Sequence, residues 1–225
     1  RDWSSDVCSS DLWGATIFDQ LLCRIMFHQL RYEGTFTPPS LQGTLVFPGN
    51  LGMFEWGGIA VDPVRQIAIA NPMSLPFRSR LIPRGPQNPP APTAEKPVGS
   101  EVGTQPMYGT PFGVDISSFL SPLSVPCYRP PWGSMAAIDL RTMKIVWQHP
   151  NGTIRDTTPL PLPFKMGVPM LGGPITTAGG VAFYTGTYEY TIRAYDVRDG
   201  KVLWEDRLPA GAQSTPMSYE ADGKQ

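Results

Sequence analysis

Histidine and cysteine supply few of the side chains that acid–base or metal chemistry needs in this sequence of 225 residues. His28 and His149 stand alone, so we expect each to be a surface or packing residue. The cysteines lie far apart and form no CxxC pair, which argues against a zinc site and gives no support for a disulfide framework. They are Cys8, Cys23 and Cys127.

One acid, Glu55, lies in the unusual stretch FPGNLGMFEWGG at residues 47–58. Four glycines and one proline share these twelve positions with aromatic side chains. Glycine permits close approach of the backbone to a ligand, but it also permits tight turns. The stretch therefore either builds part of a ligand site or turns a corner between two strands.

The composition favours strands and loops over a helical bundle. Glycine (23) and proline (26) are abundant, and both interrupt helices. The formal net charge is −1 and the pI is about 6.1, so the chain has no basic field that would attract nucleic acid or an anionic membrane surface. A length of 225 residues is enough for one large domain or two small ones.

A repeat occupies the second half of the chain. AIDLRTMKIVW (137–147) and AYDVRDGKVLW (194–204) share an alanine, an aspartate two residues later and a tryptophan eight residues after that. Each copy predicts a strand that ends at Asp139 or Asp196, a tight turn, and a return strand that ends at the tryptophan. Gly200 supplies the positive φ that such a turn often needs, whereas methionine replaces it in the first copy.

The repeat predicts antiparallel sheets arranged as in a β-propeller. AVDPVRQIAIA (60–70) reads as a third, degraded copy with Ala70 at the tryptophan position. GGPITTAGGVAFYTGT (172–187) would add two strands, as a four-stranded blade requires. A β-sandwich with two similar hairpins is the alternative.

Other segments predict an excursion and a helix. Residues 84–131 are so rich in proline that we expect a long surface loop. Residues 13–30 have apolar residues that suit either a short amphipathic helix or a buried irregular segment. These residues are Leu21, Leu22, Ile25, Met26 and Leu30. The charged residues within 13–30 exclude a bilayer span there.

The two ends of the sequence look unlike natural protein termini. RDWSSDVCSSDL at residues 1–12 reads like a translated sequencing adapter, and we expect it to be an assembly artefact. The domain proper then comprises residues 13–225, and we expect truncation at both ends. Resequencing of the source DNA with different adapters would contradict this if the same codons persist.

Several long motifs resemble those of the membrane-bound glucose dehydrogenases that depend on pyrroloquinoline quinone (PQQ). The motifs are FTPPSLQGTLVFPGNLGMFEWGGIAVDP, IANPMSLPF, LIPRGP, PFKMGVPMLGGPITTAG and RLPAGAQSTPMSYE. The resemblance runs from about Trp13 to Gln225. It implies an all-β fold that is part of an eight-bladed propeller with an incomplete ring. It also implies that Trp147 and Trp204, with Asp139 and Asp196, belong to structural tryptophan-docking motifs.

The resemblance also implies a mechanism and a location. PQQ would lie in the central channel beside calcium or magnesium, a carboxylate base would take the proton from the C1 hydroxyl of the sugar, and the C1 hydride would pass to the quinone. The electrons would then pass to ubiquinone. The family is held in the bacterial inner membrane by N-terminal helices, with the catalytic domain facing the periplasm.

Only a small part of that site maps onto this chain. Asn71 matches a family asparagine whose amide reaches a quinone oxygen, and Leu171 and Gly172 match backbone at the edge of the cofactor. The base and the cation ligands are expected elsewhere, so no catalytic or metal-binding residue is assigned and this chain alone is expected to be inactive. Glu55 is then no base, and Trp56 is expected to be a packing residue in a segment that leads to Asn71.

Two further readings of the sequence stay open. Quinate/shikimate dehydrogenases share nearly all the motifs, and a non-catalytic propeller that binds other proteins would share the fold. One departure bears on the site, because many family members carry Asp-Asn-Tyr where this chain has YEYTIRAY (188–195). Glu189 then replaces the aspartate.

Overall fold

A computed structural model describes residues 7–85, 102–107, 109–157 and 163–223. The chain divides into two compact units: the first comprises residues 1–52 and 75–129, and the second residues 53–74 and 130–225. The elements in chain order are α1 (Ile17–His28), β1 (Thr44–Val46), β2 (Ala60–Asp62), β3 (Ile67–Ala70), β4 (Phe77–Pro83), β5 (Gly103–Gln105), β6 (Phe112–Ser118), β7 (Ser134–Asp139), β8 (Lys144–Pro150), β9 (Ile175–Thr176), β10 (Val181–Thr185), β11 (Thr191–Asp196) and β12 (Val202–Arg207).

The strands form three antiparallel sheets of four strands each within the described residues. The first unit holds the sheet β1-β4-β6-β5. The second unit holds the sheets β2-β3-β7-β8 and β9-β10-β11-β12. The chain leaves the first of these two sheets after β3 and returns to it at β7. The prediction of four-stranded antiparallel sheets is confirmed.

The two repeat copies form equivalent hairpins, β7–β8 and β11–β12. Ala137 pairs with Trp147 and Ala194 pairs with Trp204, and the register shifts immediately after each alanine. The turn aspartates accept backbone N–H bonds two residues on, from Arg141 in the first copy and from Arg198 in the second. Side-chain hydrogen bonds from these same arginines are the largest cause that lowers the pKa of both carboxyls, Asp139 and Asp196, to about 2.

The turn position four residues after each aspartate requires a positive φ. Gly200 has φ 71°, as expected, and Met143 adopts φ 56° at the same place. Gln66 has φ 55° four residues after Asp62, although it lies in the proposed third copy. The turn geometry is thus kept by the hydrogen-bonding aspartate even where glycine is absent.

The third copy also forms a hairpin, because Asp62 pairs with Ile67 as Asp139 pairs with Lys144. It lacks the register shift of the other two copies, and it supplies the first two strands of its sheet instead of the last two. Residues 60–70 form β2–β3, which pairs with β7–β8 in one sheet. They share the aspartate turn with the other copies because Asp62 accepts the backbone N–H groups of Val64 and Arg65. Ala70 lies in the buried strand β3 and has no tryptophan-like place.

The proline-rich segment 84–131 is not only loop, which corrects the prediction for its described part. Strand β6 pairs with β4 over seven residues, and β5 adds a further edge strand. The sequence of β6, FGVDISS, contains no proline, and Pro111 immediately precedes it. The prolines therefore flank the strand instead of interrupting its hydrogen bonds.

The amphipathic helix expected within 13–30 is present as α1. Thr16 caps it by accepting the N–H of Asp19, whose carboxylate accepts the N–H of Ala15 in return. The buried face differs from the prediction, because Leu21, Leu22 and Ile25 are exposed. Cys23 is buried and Met26, Phe27 and Leu30 pack around it. No helix among the described residues is long and apolar enough to cross a membrane.

A disulfide joins Cys23 of α1 to Cys127. The sequence analysis, which found no support for a disulfide framework, missed this bond. The spacing carries no signal because 104 residues separate the two cysteines. Their Cα atoms lie 5.4 Å apart, and both side chains are fully buried in the core of the first unit. Val7 and Leu12 belong to the same core, while the origin of segment 1–12 stays a prediction.

Trp147 joins the two sheets of the second unit. Its side chain is buried, and Nε1 donates a hydrogen bond to the carbonyl of Val197 at 3.0 Å. A Cβ on Gly200 would lie 2.6 Å from the Trp147 ring, so the ring rests directly on glycine backbone. The His149 ring stacks on the Trp147 ring, with the two ring centroids 5.4 Å apart. Trp204, in contrast, is 48% exposed.

We expect loss of the disulfide to destabilise the first unit. Cys23→Ser removes a cross-link that closes a long loop in the unfolded chain, which corresponds to about 2–5 kcal/mol. The measurement is urea unfolding of oxidised and reduced protein. Cys8→Ser is the matched control because Cys8 is free and exposed. Equal stability of Cys23→Ser and Cys8→Ser would contradict the assignment.

We expect the two repeat tryptophans to respond differently in this chain. Trp147→Phe leaves the Val197 carbonyl without its donor and leaves space behind the smaller ring, which costs about 2–4 kcal/mol. Trp204→Phe at the equivalent but half-exposed position costs less than about 1 kcal/mol. Thermal unfolding of both variants tests this difference, and equal losses would refute it.

Candidate functional site

The candidate site lies in the second unit, where the segments that follow β3, β8, β10 and β12 contact one another. Thr187, after β10, accepts a hydrogen bond from the Leu171 N–H at 2.9 Å and donates one to the Ala212 carbonyl at 2.8 Å. Thr185 donates to the Ser214 carbonyl at 2.9 Å. Side-chain hydroxyls thus tie three loops that no strand ladder connects.

Asn71 is the centre of these contacts. It follows β3, whose four residues are all buried, and is itself only 3% exposed. Its Nδ2 lies 3.0 Å from the Met170 carbonyl, 3.1 Å from the Gly172 carbonyl and 2.8 Å from the Tyr184 hydroxyl. An amide nitrogen carries two hydrogens, so three acceptors compete for two hydrogen bonds.

The structure brings Asn71, Leu171 and Gly172 together, the three residues that the sequence predicted beside a cofactor. The carbonyls on either side of Leu171 both approach the Asn71 amide. Gly172 is closely packed, since a Cβ there would lie 2.9 Å from the Ser214 carbonyl oxygen. Asn71 therefore fixes the backbone path of residues 170–172.

The opening glycine-rich stretch supports this backbone from the other side. A Cβ on Gly57 would lie 2.0 Å from the Gly173 nitrogen, and one on Gly173 would lie 1.8 Å from the Gly57 oxygen. The two backbone segments pass at a distance that only glycine allows. Within this chain Trp56 is 62% exposed, so the packing role expected for it stays a prediction. Glu55 accepts the N–H of Trp56.

The sequence analysis did not predict a buried ion-pair network that lies beside the loops contacting Asn71. Glu189 is 3% exposed and accepts a hydrogen bond from Thr153 at 2.5 Å. Its second oxygen lies 2.7 Å from Arg193, which also pairs with Glu205 at 2.5 Å. A buried carboxylate needs such partners. The one sequence signal was that Glu189 departs from the family aspartate.

A second ion pair fixes the loop after β8. Arg207 forms a bidentate pair with Asp156, both contacts measuring 2.8 Å. Asp156 also accepts the backbone N–H of Tyr190 at 2.9 Å. The Arg207 side chain is the largest cause that lowers the pKa of Asp156. Both ion-pair networks therefore connect the β8 loop to the β10 loop and to β12.

The buried tyrosines serve as neutral hydrogen-bonding groups. Burial raises the pKa of Tyr184 far above its ordinary value and raises the pKa of Tyr195 to about 12. Both phenols are therefore protonated at neutral pH. Within the described ranges, no group of three or more His, Cys, Asp or Glu side chains could hold a metal ion. The arrangement can orient a polar ligand through uncharged donors and backbone.

We expect Glu189→Gln to destabilise the second unit by about 1–3 kcal/mol. The substitution keeps the side-chain length but removes the charge that Arg193 faces in a buried position. Glu205→Gln is the matched control, because Glu205 pairs with the same arginine but is 48% exposed, and its loss costs less than about 1 kcal/mol. Urea unfolding compares them, and a larger loss for Glu205→Gln would contradict this network.

The chain matches the family model of the PQQ-linked glucose/ethanol/alcohol dehydrogenase β-propeller domain over residues 2–225. It is 59% identical to the quinoprotein glucose dehydrogenase of Escherichia coli over 99% of this chain and 28% of that protein. It is 58% identical to the enzyme of the same name from Gluconobacter oxydans, over 96% of this chain and 28% of that protein. The quinate/shikimate dehydrogenase of Acinetobacter baylyi is 45% identical over 93% of this chain and 27% of its own length.

Solved structures agree with this fold. A europium-containing methanol dehydrogenase matches with a TM-score of 0.52 and 20% sequence identity, over 81% of this chain and 25% of that chain. The chain spans little more than a quarter of the length of the curated relatives named above. The family match, which covers nearly every residue, shows that the chain belongs to the β-propeller domain family of the PQQ-dependent glucose, ethanol and alcohol dehydrogenases.

Proposed function

We propose that the full-length protein containing this chain oxidises an aldose such as glucose with PQQ and passes the electrons to ubiquinone. The observation that carries this proposal is the identity of 58–59% to quinoprotein glucose dehydrogenases over nearly the whole of this chain. The chain supplies one wall of the site and none of the proton chemistry. By itself it is therefore expected to be inactive.

The residues around Asn71 fit an uncharged quinone edge. Because three acceptors compete for two amide hydrogens, Asn71 can give one hydrogen to a ligand oxygen and keep the other for a backbone carbonyl. No buried donor is left unpaired by this exchange. Asn71 would therefore hold a quinone oxygen while still positioning Leu171 and Gly172. PQQ, when bound, supplies the electron acceptor for the substrate hydride.

The cation and the base belong to other parts of the protein in this proposal. Calcium or magnesium would need several oxygen ligands, which the proposal assigns to residues outside this chain. The contribution of this chain is to exclude water and to orient the ligand with buried amide, hydroxyl and backbone groups. Burial of Asn71 and Tyr184 supports that contribution.

The disulfide supports the proposed periplasmic location. Disulfides persist in oxidising compartments such as the bacterial periplasm and are rare in the cytosol. The buried bond between Cys23 and Cys127 is suited to such a compartment. Attachment to the inner membrane would depend on N-terminal helices outside the described residues.

The tryptophan motifs support assembly of the propeller from neighbouring blades. Trp147, with Asp139 at its turn, docks on the following sheet through Val197 and Gly200. We assign the same structural role to Trp204 and Asp196, with a further blade of the full-length protein covering Trp204. The half-exposed Trp204 ring in this chain supports that assignment.

Glucose is favoured over quinate because the identity is 58–59% to the glucose enzymes and 45% to the quinate/shikimate enzyme. The test is an assay of the full-length protein, reconstituted with PQQ, on glucose and on quinate with a ubiquinone analogue. We expect oxidation of glucose. Oxidation of quinate alone would replace the proposed substrate, and absence of PQQ uptake would favour a non-catalytic binding propeller.

We expect Asn71→Ala to weaken PQQ binding to the full-length protein about tenfold or more, because the quinone oxygen loses a buried donor. Fluorescence titration with PQQ measures the change, and circular dichroism checks that the variant is folded. Asn50→Ala is the matched control, since Asn50 is exposed. Equal PQQ affinity of the folded Asn71 variant and the control would remove Asn71 from the site.

A further inference from the structure

The backbone wall of the candidate site is held by side chains. Residues 170–173, here called the 170–173 segment, precede β9 and lie in no strand of the described structure. Within the described residues, five backbone N–H and carbonyl groups of this segment make hydrogen-bond contacts with side chains from elsewhere in the second unit. These side chains are Asn71, Met73, Thr187 and Thr215. The path of this backbone therefore depends on those side chains and not on a strand ladder.

Thr187 makes the strongest contact to an N–H group of the segment. Its Oγ1 accepts the Leu171 N–H at 2.9 Å and donates to the Ala212 carbonyl at 2.8 Å. The contact of Thr215 with the segment is longer, at 3.2 Å. Met73 offers only a thioether sulfur, which is a weak acceptor. Loss of the Thr187 hydroxyl would thus release the central N–H of the segment.

A second thioether fixes Thr187 in return. The Thr187 N–H donates to Met170 Sδ at 3.2 Å, so residue 170 holds residue 187 while residue 187 holds residue 171. Met170 is only 1% exposed, and a Cβ on Gly152 would lie 2.6 Å from its methyl carbon. The Met170 side chain is therefore closely packed, and the two residues position each other.

This support is needed most when Asn71 binds a ligand. The Asn71 amide has two hydrogens and contacts three internal acceptors, among them the carbonyls of Met170 and Gly172. A ligand oxygen that takes one of these hydrogens leaves only one for the internal acceptors. The contact between Thr187 and the Leu171 N–H involves no hydrogen of Asn71, so it persists through this exchange.

We propose that Thr187 is a positioning residue for the cofactor. Its hydroxyl keeps the Leu171 backbone in place while the Asn71 amide turns one hydrogen to a quinone oxygen. The inference rests on the proposed function, because PQQ is the ligand that Leu171 would border. Thr187 acts through Leu171 and not by contact with the cofactor.

The test uses the full-length protein with and without PQQ. Thr187→Val keeps the branched shape but removes the hydroxyl, so amide hydrogen exchange of peptides covering 170–173 should become about tenfold faster without PQQ. Fluorescence titration should show PQQ affinity that is about fivefold weaker, because the backbone beside the cofactor is misplaced. Thr187→Ser retains the hydroxyl and should bring both values back to within about twofold of those of the unsubstituted protein.

Thr177→Val is the matched control. Thr177 is half-buried like Thr187, and its hydroxyl also bonds to backbone, at the N–H and carbonyl of Val181. These contacts lie at the opposite end of β10. We expect unchanged PQQ affinity and unchanged hydrogen exchange of residues 170–173 in this variant. Circular dichroism checks that each variant is folded under the conditions of the titration.

The outcomes separate this inference from the proposed function. Unchanged PQQ affinity or unchanged exchange in folded Thr187→Val, with PQQ binding of the unsubstituted protein intact, would overturn the positioning role alone. A loss of affinity that Thr187→Ser does not restore, or that Thr177→Val shares, would also overturn it by showing a general loss of stability. Failure of the unsubstituted protein to bind PQQ would instead overturn the proposed function, and this inference with it.

Discussion

The arrangement of the site depends on one buried amide. Asn71 emerges from β3 into a region without regular hydrogen-bond ladders, and its Nδ2 reaches two backbone carbonyls and one phenol. A buried polar group of this kind must be paired, so the loop at residues 170–172 has little freedom once β3 is in place. In the proposed function, one amide hydrogen would go to a ligand while the other keeps one internal bond, so no buried donor is left unpaired. One side chain would then both position the loop and bind the ligand.

The surrounding contacts make this constraint rigid. Gly57 and Gly173 allow two backbone segments to touch, and Trp147 fastens one sheet of the second unit to the other through Val197. Buried ion pairs around Arg193 then connect the loops after β8 and β10 to β12. Because the Gly57–Gly173 and Trp147–Val197 contacts join residues that are distant in sequence, the site needs both sheets of the unit to be folded. The disulfide plays a corresponding part in the first unit.

The sequence predicted the features that depend on local pattern. The hairpins of 137–147 and 194–204 were predictable because an aspartate, a turn and a tryptophan recur at fixed spacing. Long-range facts were not: the Cys23–Cys127 bond spans 104 residues, and nothing local marks it. The aspartate turn of 60–70 does mark a hairpin, β2–β3, but the local signal did not show that this hairpin supplies the first two strands of its sheet instead of the last two.

The candidate site divides in the same way. The resemblance to the dehydrogenase family led to Asn71, Leu171 and Gly172, and the structure shows them in contact. The glutamate–arginine network depends on burial, which composition and spacing do not report. The most direct measurement is a structure of the full-length protein with PQQ bound. The account predicts a quinone oxygen within hydrogen-bond distance of Asn71 Nδ2, beside Leu171 and Gly172, and a cofactor that contacts none of these residues would contradict it.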